Sequence, residues 1–267
     1  MHGFRVSLSG STASFREQGA QLYQATLPLP PISTLVGIAG AAVGKRFEDA
    51  WEFFRTAGLF VGVAGASRGR GTDLWRYRKI ATPKSDVEKK WKKKYGLSKI
   101  ERVDILNREF LAFPRFHIFY ALENAEEANR LRKAFFDPVY ALSLGTSDDI
   151  AMIEEISALS VVKEGIESDS FQNILLEGDF SDRIRFDWDV LKRSGVAHVL
   201  KAPIVRPLVV DFSFKGSGQR MERRGSRYRL FTFLSGIQRL TEPQRAYGFE
   251  GEESAVSLYG IKGTGER

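Results

Sequence analysis

Alternating hydrophobic and polar residues mark the start of the chain. In the stretch FRVSLSG, Phe4, Val6 and Leu8 fall on one face and polar residues fall on the other. This period of two predicts a half-buried β-strand. The other strand-like segments of the N-terminal half are 57–65, 112–122 and 139–145.

The spacing of apolar residues becomes helical after the double proline at residues 30–31. Apolar residues then recur every three or four positions, at Leu35, Ile38, Ala39, Ala42, Val43 and Phe47. This stripe predicts a helix with one buried face, and Ser33 is its predicted N-cap. Asn124 and Glu127 have the spacing of a capping box and predict the start of a second helix.

The order of these elements is strand, helix, strand, long insertion, strand, helix, strand. It predicts an α+β fold in which residues 1–149 form a ferredoxin-like (RRM-like) βαββαβ domain. A thumb insertion at about 66–110 interrupts the central hairpin, whose loop would ordinarily have about 2 to 5 residues. Strand-like stretches predict a smaller, β-rich C-terminal domain at 150–267.

Basic residues are concentrated in two segments. Between Val61 and Arg102 there are thirteen Lys/Arg and four Asp/Glu, an excess larger than the net charge of +7 of the whole chain. The second segment contains Lys215, Arg220, Arg223, Arg224, Arg227 and Arg229. Clustered cations favour a protein that binds a phosphate backbone, because each contact releases counterions. The alternative for KKWKKK, residues 89–94, is a solvated helix face.

Composition narrows the class of protein. With 267 residues and 43% hydrophobic residues, the chain can bury one sizeable core or two small ones. The absence of cysteine excludes a disulfide scaffold, a thiolate metal site and a cysteine nucleophile. The N-terminus lacks the pattern of a secretion signal, and no apolar run has the length of a membrane helix. We therefore expect a cytoplasmic protein that does not enter a membrane.

The sequence offers little for catalysis or for holding a metal or cofactor. The histidines are His2, His117 and His198, and none has the spacing of a motif such as HExxH. The glycine-rich stretch at 65–80 lacks the lysine of a phosphate-binding loop. The carboxylates of TSDD, residues 146–149, are expected to cap and turn the chain. We expect no catalytic residue, no metal and no cofactor.

The stretch GASRGRGTDLWRYRKI, residues 65–80, combines cations with aromatic residues. Arg68 and Arg70 stand between glycines, where guanidinium groups can approach a kinked phosphate chain. Trp75 and Tyr77 either stack on splayed bases or pack in the core at the base of the thumb. Both interpretations stay open at this point.

Four blocks of sequence, taken in order, resemble the Cas-five family of the RNA-binding RAMP superfamily, a subunit of the type I CRISPR Cascade complex. The blocks are ASFRE (13–17), PLPPISTLVGIAGAAVG (28–44), NREFLAFPRFHIFY (107–120) and DPVYALSLGTSDD (137–149). The resemblance implies a ferredoxin-like domain with a basic thumb in its central hairpin. It also implies that the chain holds the repeat-derived 5′ handle of CRISPR RNA at one end of this antiviral assembly. The implied partners are the filament (backbone) subunit, the large subunit and, through the assembled complex, target DNA.

The resemblance places the loop after the first strand and the turn into the first helix near RNA. Phe15 would then stack on a base, and Arg16 would contact a phosphate or a base. Both are expected to lie beside the strand face that carries Arg5, Ser7, Arg115 and His117, which would form one polar-aromatic surface for a single-stranded handle. Together with the charge pattern, this gives the candidate RNA-binding residues Phe15, Arg16, Pro31, Ser33, Thr34, Arg68, Arg70, Trp75, Arg76, Lys79, Lys89, Lys90, Lys92, Lys93, Arg108, Arg115 and His117.

A non-catalytic RNA-binding subunit is the expected function, and two alternatives remain. Some members of the family cut precursor CRISPR RNA without metal, using a tyrosine, a lysine and a histidine. That set has no clear counterpart in this chain, where His117 is the histidine nearest to the predicted RNA. The other alternative is a general RNA-recognition module outside CRISPR.

Overall fold

The computed structural model describes residues 1–18, 23–80, 89–90, 100–193, 202–216 and 221–261. Its helices are α1 (Ile32–Ala42), α2 (Phe47–Ala57), α3 (Ala125–Ala134) and α4 (Trp188–Arg193). Its strands are β1 (His2–Ser9), β2 (Thr12–Ala13), β3 (Tyr23–Gln24), β4 (Phe60–Ile80), β5 (Ile100–Leu122), β6 (Met152–Ile156), β7 (Ser160–Val161), β8 (Lys163–Ser170), β9 (Ile174–Glu177), β10 (Ile184–Phe186), β11 (Ile204–Lys215), β12 (Glu222–Leu234), β13 (Gln238–Gly248) and β14 (Tyr259–Gly260).

The strands form two sheets, and nearly all of their pairings are antiparallel. The larger sheet has the order β11-β12-β9-β4-β5-β1-β6, and the smaller one has the order β10-β13-β8. β2 and β3 extend the pairing along β5, where β3 is the parallel neighbour. The predicted α+β class is therefore confirmed.

The two faces of the larger sheet pack against different layers. Phe4, Val6 and Leu8 are buried in a first core with residues of α1, α2 and α3. Phe119 and Ala121 point to the other face and join a second core, which includes residues of β13 such as Ala246. The apolar face of β1 thus packs on a helical layer, as its alternation predicts, but Ser7 on the other face is buried as well, so the strand is covered on both sides.

The hairpin of β4 and β5 is much longer than the strands predicted at 57–65 and 112–122. The pairing runs from Phe60 opposite Ala121 to Ile80 opposite Ile100. Phe113 has φ 48°, which bends β5 near the point where the hairpin leaves the core. We call residues 66–80 and 100–114 the ribbon. The segment predicted as an inserted thumb is therefore continuous with the strands of the hairpin.

The first helix differs from its prediction at both ends. Its N-cap is Pro31, whose carbonyl accepts from the N–H groups of Thr34 and Leu35, so the prediction that Ser33 caps the helix is wrong. The apolar stripe also spans two helices, because Gly44 has φ 72° and ends the first before Phe47 begins the second. The predicted cap at Asn124 is confirmed, since its side chain accepts from two backbone N–H groups.

The predicted strand at 139–145 is wrong. Leu142 and Leu144 alternate as expected and are buried. Their backbone groups bond to Asp149 and Ala151 of the same loop, and the Leu144 carbonyl also accepts from the N–H of Ser14. The strand that flanks β1 on the side away from β5 is β6, which follows this loop.

The C-terminal half contributes strands to both sheets. β9, β11 and β12 extend the larger sheet beyond β4, while β8, β10 and β13 form the smaller one. The division of the chain at residue 150 stays a prediction, and strands from both of its sides share the larger sheet. Within the part of the chain that the structure describes, no helix is long and apolar enough to cross a membrane.

Candidate nucleic-acid interface

The loop after β2 turns one of its two predicted contact residues inward. The Phe15 carbonyl accepts from the N–H of Leu27, and the Phe15 N–H donates to the hydroxyl of Thr26. This pairing directs the Phe15 ring onto Phe116, at a centroid distance of 5.7 Å, and leaves the residue 2% exposed. The prediction that Phe15 stacks on a base is therefore wrong. Arg16, the next residue, is exposed.

Arg16 lines a cleft at the start of α1. This α1 cleft has a volume of about 380 Å³, and its lining includes Arg16, Pro31, Ser33, Arg206, Pro207 and Tyr228. Three of these were predicted from the sequence, and the rest come from β11 and β12. Among the described residues, Arg16 has no side-chain hydrogen bond or ion pair, whereas Arg206 pairs with Glu17. Within the described part of the chain, the cleft therefore holds a guanidinium that has no ion-pair partner.

A second cleft lies on the other side of the first turn of α1. It has a volume of about 280 Å³ and is lined in part by Ser33, Thr34 and Arg223, so we call it the Arg223 cleft. The guanidinium of Arg223 lies 4.3 Å from the ring centroid of Phe47, which holds it against α2. Thr34, a predicted contact, is half-buried here.

A third cleft lies where the ribbon leaves the core, and we call it the ribbon cleft. It has a volume of about 350 Å³, and Arg68 and Arg70 are among its lining residues. Arg68 is exposed and unpaired among the described residues, whereas Arg70 donates to Glu109 over 3.1 Å. The two predicted arginines thus line the same cleft, but, within the described part of the chain, the Arg68 guanidinium is free to bind a ligand, whereas that of Arg70 is already paired with Glu109.

Glu109 ties the N-terminal segment to the ribbon. It accepts from the hydroxyl of Tyr23 at 2.6 Å, from the N–H of Thr26 and from Arg70. Burial by itself raises the pKa of the Glu109 carboxyl, but these three donors outweigh it and hold the pKa below its usual range. Glu109 therefore carries its charge at neutral pH and fixes Arg70.

Arg108 packs across the ribbon. Its guanidinium lies 4.1 Å from the ring centroid of Trp75 and 3.9 Å from Asp73, and its side chain is 12% exposed. The contact between Arg108 and Trp75 therefore stabilises the two strands of the ribbon on this face. It leaves the Trp75 side chain half-buried. Arg76, on the opposite face, is exposed.

The predicted lysines are only partly within the described residues. Lys79 lies near the end of β4, opposite Arg102. Lys89 and Lys90 are exposed and helical. Lys92 and Lys93 lie outside the described residues.

The polar face of β1 and β5, which was expected to meet RNA beside Phe15, is occupied by ion pairs. Arg5 bonds to Glu155 at 2.6 Å and also to Glu252, and Arg115 pairs with Glu154 at 3.0 Å. The Phe15 ring packs on Phe116, and Phe116 points to the face of β5 opposite that of Arg115 and His117. The prediction of one surface shared by Phe15, Arg16, Arg115 and His117 is therefore wrong, because Phe15 packs behind the sheet.

His117 is half-buried on that face. Its Nδ1 lies 2.9 Å from the Ser7 hydroxyl. Burial lowers the pKa of the His117 imidazole, and nearby Arg5 and Arg115 lower it further against the opposing effect of Glu252 and Glu155. The ring is therefore held neutral at physiological pH.

The carboxylates of TSDD serve the loop that carries them. Asp149 is 2% exposed and accepts from the hydroxyls of Thr12, Ser14 and Thr146 at 2.5 to 2.8 Å. This agrees with the expected structural role, since the site binds one segment of chain to another.

Sequence reasoning missed the contributions of the C-terminal half to these clefts. Arg206, Arg223 and Tyr228 lie on β11 and β12, far along the chain from Arg16. The charge of the second basic segment was a visible signal, but its position beside α1 depends on long-range strand pairing. The spacing of residues along the chain therefore could not reveal that these side chains lie beside α1.

Comparison with known proteins gives the family. The family model described as CRISPR-associated protein (Cas_Cas5) matches residues 4–225. The chain therefore belongs to the Cas-five family of CRISPR-associated proteins, and it has a CRISPR-associated role. No curated protein matches the chain.

Three solved structures that align with the chain also come from CRISPR proteins or complexes. A CRISPR protein from Archaeoglobus fulgidus aligns with a TM-score of 0.50 at 14% identity, over 96% of this chain and 99% of that chain. A chain of a CRISPR RNA-guided surveillance complex aligns with a TM-score of 0.46 at 16% identity, over 90% and 91%. A chain of the Type III-B Cmr-beta complex bound to cognate target RNA aligns with a TM-score of 0.38 at 12% identity, over 89% and 86%.

Proposed function

We propose that this chain is a non-catalytic RNA-binding subunit that holds the 5′ handle of CRISPR RNA and caps one end of a type I Cascade complex. The observation that carries the proposal is that exposed, unpaired arginines line clefts in a protein of the Cas-five family. Arg16 and Arg68 are such residues among the described part of the chain. A phosphate needs an accessible guanidinium of this kind, and no carboxylate has to be displaced first.

The fold supports a ferredoxin-like unit as the core of this subunit. In the proposal, β1, β4, β5 and β6 are its four strands, and α1 and α3 are its helices. The order β4-β5-β1-β6 within the larger sheet, with antiparallel neighbours, is the arrangement that such a unit needs. The ribbon is then the thumb.

The ribbon also suits contact with a filament subunit. Leu74 and Ile105 are 66% and 62% exposed, and Arg76 lies on the same face, directly opposite Ile105. A surface that mixes large apolar side chains with a cation favours a protein neighbour close to RNA. The large subunit, and target DNA through the assembled complex, complete the proposed partners.

We propose a binding role without catalysis, and His117 is the residue that bears on it. A general acid or base works best with a pKa near the operating pH. Burial and two neighbouring arginines lower the pKa of His117, and its Nδ1 faces Ser7. These surroundings favour a structural histidine over a proton donor to a leaving oxygen.

One gel experiment tests binding and the enzymatic alternative together. Purified protein is incubated in EDTA with labelled repeat RNA and with a scrambled RNA of equal length. We expect tighter binding to the repeat RNA, dependent on its 5′-handle segment, and no cleavage. A unique product would replace the proposal with a metal-independent endonuclease. Equal binding to both RNAs would favour a general RNA-recognition module.

A further inference from the structure

The hairpin of β11 and β12 forms one wall of a groove that starts at the ribbon and ends at α1. The ribbon cleft is lined by Leu29 and Ile204, and the α1 cleft by Leu27 and Arg206. Both clefts therefore lie between the same two parts of the chain, the segment before α1 and the start of β11, at successive positions along them. The α1 cleft and the Arg223 cleft share Ser33. The three clefts therefore follow one another along the chain, with the Arg223 cleft lying around the first turn of α1 from the α1 cleft, and we call them together the groove.

Arginines recur along the whole groove. Arg68 lies in the ribbon cleft, Arg16 and Arg206 lie in the α1 cleft, and Arg223 lies in the Arg223 cleft. Arg206 is held by Glu17 and Arg223 by Phe47, so both are positioned by the protein before any ligand arrives. A track of guanidinium groups is what the backbone of a single strand needs.

An aromatic side chain opens into the middle of the groove. Tyr228 is 51% exposed and lines the α1 cleft. Its hydroxyl lies 2.8 Å from the position that a Cβ of Gly225 would take. The ring can lie this close to the backbone of β12 because residue 225 is a glycine. The rest of the ring is available to stack on one unpaired base.

The groove is a poor site for a peptide strand. β11 is at the edge of the larger sheet, where an extended peptide could add by backbone hydrogen bonds. Pro207 stands in that edge and lines the groove, and it has no N–H to donate. The observations therefore favour a nucleic acid over a peptide.

We infer that this groove binds a short run of single-stranded RNA, with the base of one nucleotide on Tyr228 and phosphates on Arg16 and its neighbouring arginines. The inference rests on the proposed function and extends it, because it assigns an RNA-binding role to β11 and β12. A duplex is excluded as the ligand at Tyr228, since its bases are stacked on one another.

The test measures binding of 5′-handle RNA by Tyr228→Leu, Tyr228→Phe and Arg16→Gln variants of the full chain. Loss of stacking in Tyr228→Leu should weaken binding at least about fivefold, and Tyr228→Phe should recover most of that loss. Arg16→Gln should lower the slope of log Kd against log salt by about 0.7, the value for one phosphate of a single strand. Arg245→Gln is the matched control, because Arg245 is 70% exposed on β13, away from the groove.

Ultraviolet crosslinking gives a second readout that does not depend on affinity. The peptide containing Tyr228 should crosslink to the handle RNA in the wild-type protein. Unchanged affinity in both Tyr228 variants, with no crosslink to β12, would overturn the inference while the proposed function stands. A wild-type protein that does not bind handle RNA would overturn both.

Discussion

At the scale of single residues, Asp149 shows how a buried charge joins distant segments. Its carboxylate accepts hydroxyl hydrogen bonds from Thr12 and Ser14 near the N-terminus and from Thr146 in its own loop. Burial by itself raises the pKa of Asp149, but these donors outweigh it and hold the pKa below the ordinary 3.8. The charged form therefore stabilises the folded state.

Replacing this carboxylate should destabilise the protein and change its acid sensitivity. We expect Asp149→Asn to lower the free energy of unfolding at pH 7 by about 1–3 kcal/mol, since charged hydrogen bonds are lost in a buried site. Because the folded pKa is lowered, the contribution is present above pH 3.8 and is lost as the pH falls further. Urea unfolding from pH 7 to pH 2.5 should show a shallower acid decline in the variant. A parallel decline in both proteins would assign the acid sensitivity to other groups.

Adjacent residues of the first loop show what local sequence can reveal. The exposure of Arg16 could be predicted, because burying a lone charged side chain from a loop costs free energy unless a partner is present. Phe15 could not be assigned in this way, since its burial depends on pairing with Thr26 and Leu27 and on the position of Phe116. A single aromatic residue in a loop has no period from which its direction can be read.

At the scale of elements, two glycines of α1 face α2 with different clearances. A Cβ on Gly40 would lie 2.6 Å from that of Ala50, whereas a Cβ on Gly37 would lie 3.7 Å from the Phe47 ring. Gly40→Ala should therefore cost about 1–3 kcal/mol by forcing the helices apart. Gly37→Ala should add up to about 1 kcal/mol through helix propensity. Thermal and urea unfolding measure both, and equal effects of the two changes would contradict the packing argument.

The ribbon should depend on the contact between Arg108 and Trp75. We expect Arg108→Ala to lower the local opening free energy of the ribbon by about 0.5–2 kcal/mol, because the cation–π contact is lost. Hydrogen exchange of the amides at 73–76 and 104–108 should quicken, while the melting temperature changes little. Arg76→Ala is the control, since the described residues offer its side chain no partner. Faster exchange in both variants would show that Arg108 has no special role.

Elements were predicted where the period was clear and missed where pairing was long-range. β1 and the core of α1 followed from their apolar spacing, and α3 from the cap at Asn124. The loop at 139–145 imitated a strand because Leu142 and Leu144 pack on the core from an irregular backbone. The true strand, β6, places two glutamates between its isoleucines, which hides its alternation. The length of the ribbon could not be predicted, because its cross-strand pairs mix polar and apolar residues without a regular period.

At the scale of the whole molecule, basic residues of the described part of the chain lie on two hairpins. The ribbon carries described residues of one basic segment, and β11 with β12 carries described residues of the other. The α1 cleft and the Arg223 cleft lie where β11 and β12 meet the start of α1, and the ribbon cleft lies where the ribbon leaves the core beside β11. Arginines from both halves of the chain therefore line these clefts, although they are far apart in the sequence.

This distribution raises the question of whether the ribbon arginines contact RNA phosphates, which the salt dependence of RNA binding can measure. Changing both Arg68 and Arg76 to Gln removes two exposed arginines that have no ion-pair partner among the described residues, so folding should be little affected. If both contact phosphates of a bound single strand, the slope of log Kd against log salt should fall by about 1.4. The double variant Arg183→Gln and Arg245→Gln is the control, since these residues are 54% and 70% exposed near the smaller sheet. An unchanged slope in the ribbon variant, with wild-type affinity for handle RNA, would mean that the ribbon contacts a protein neighbour instead of the RNA.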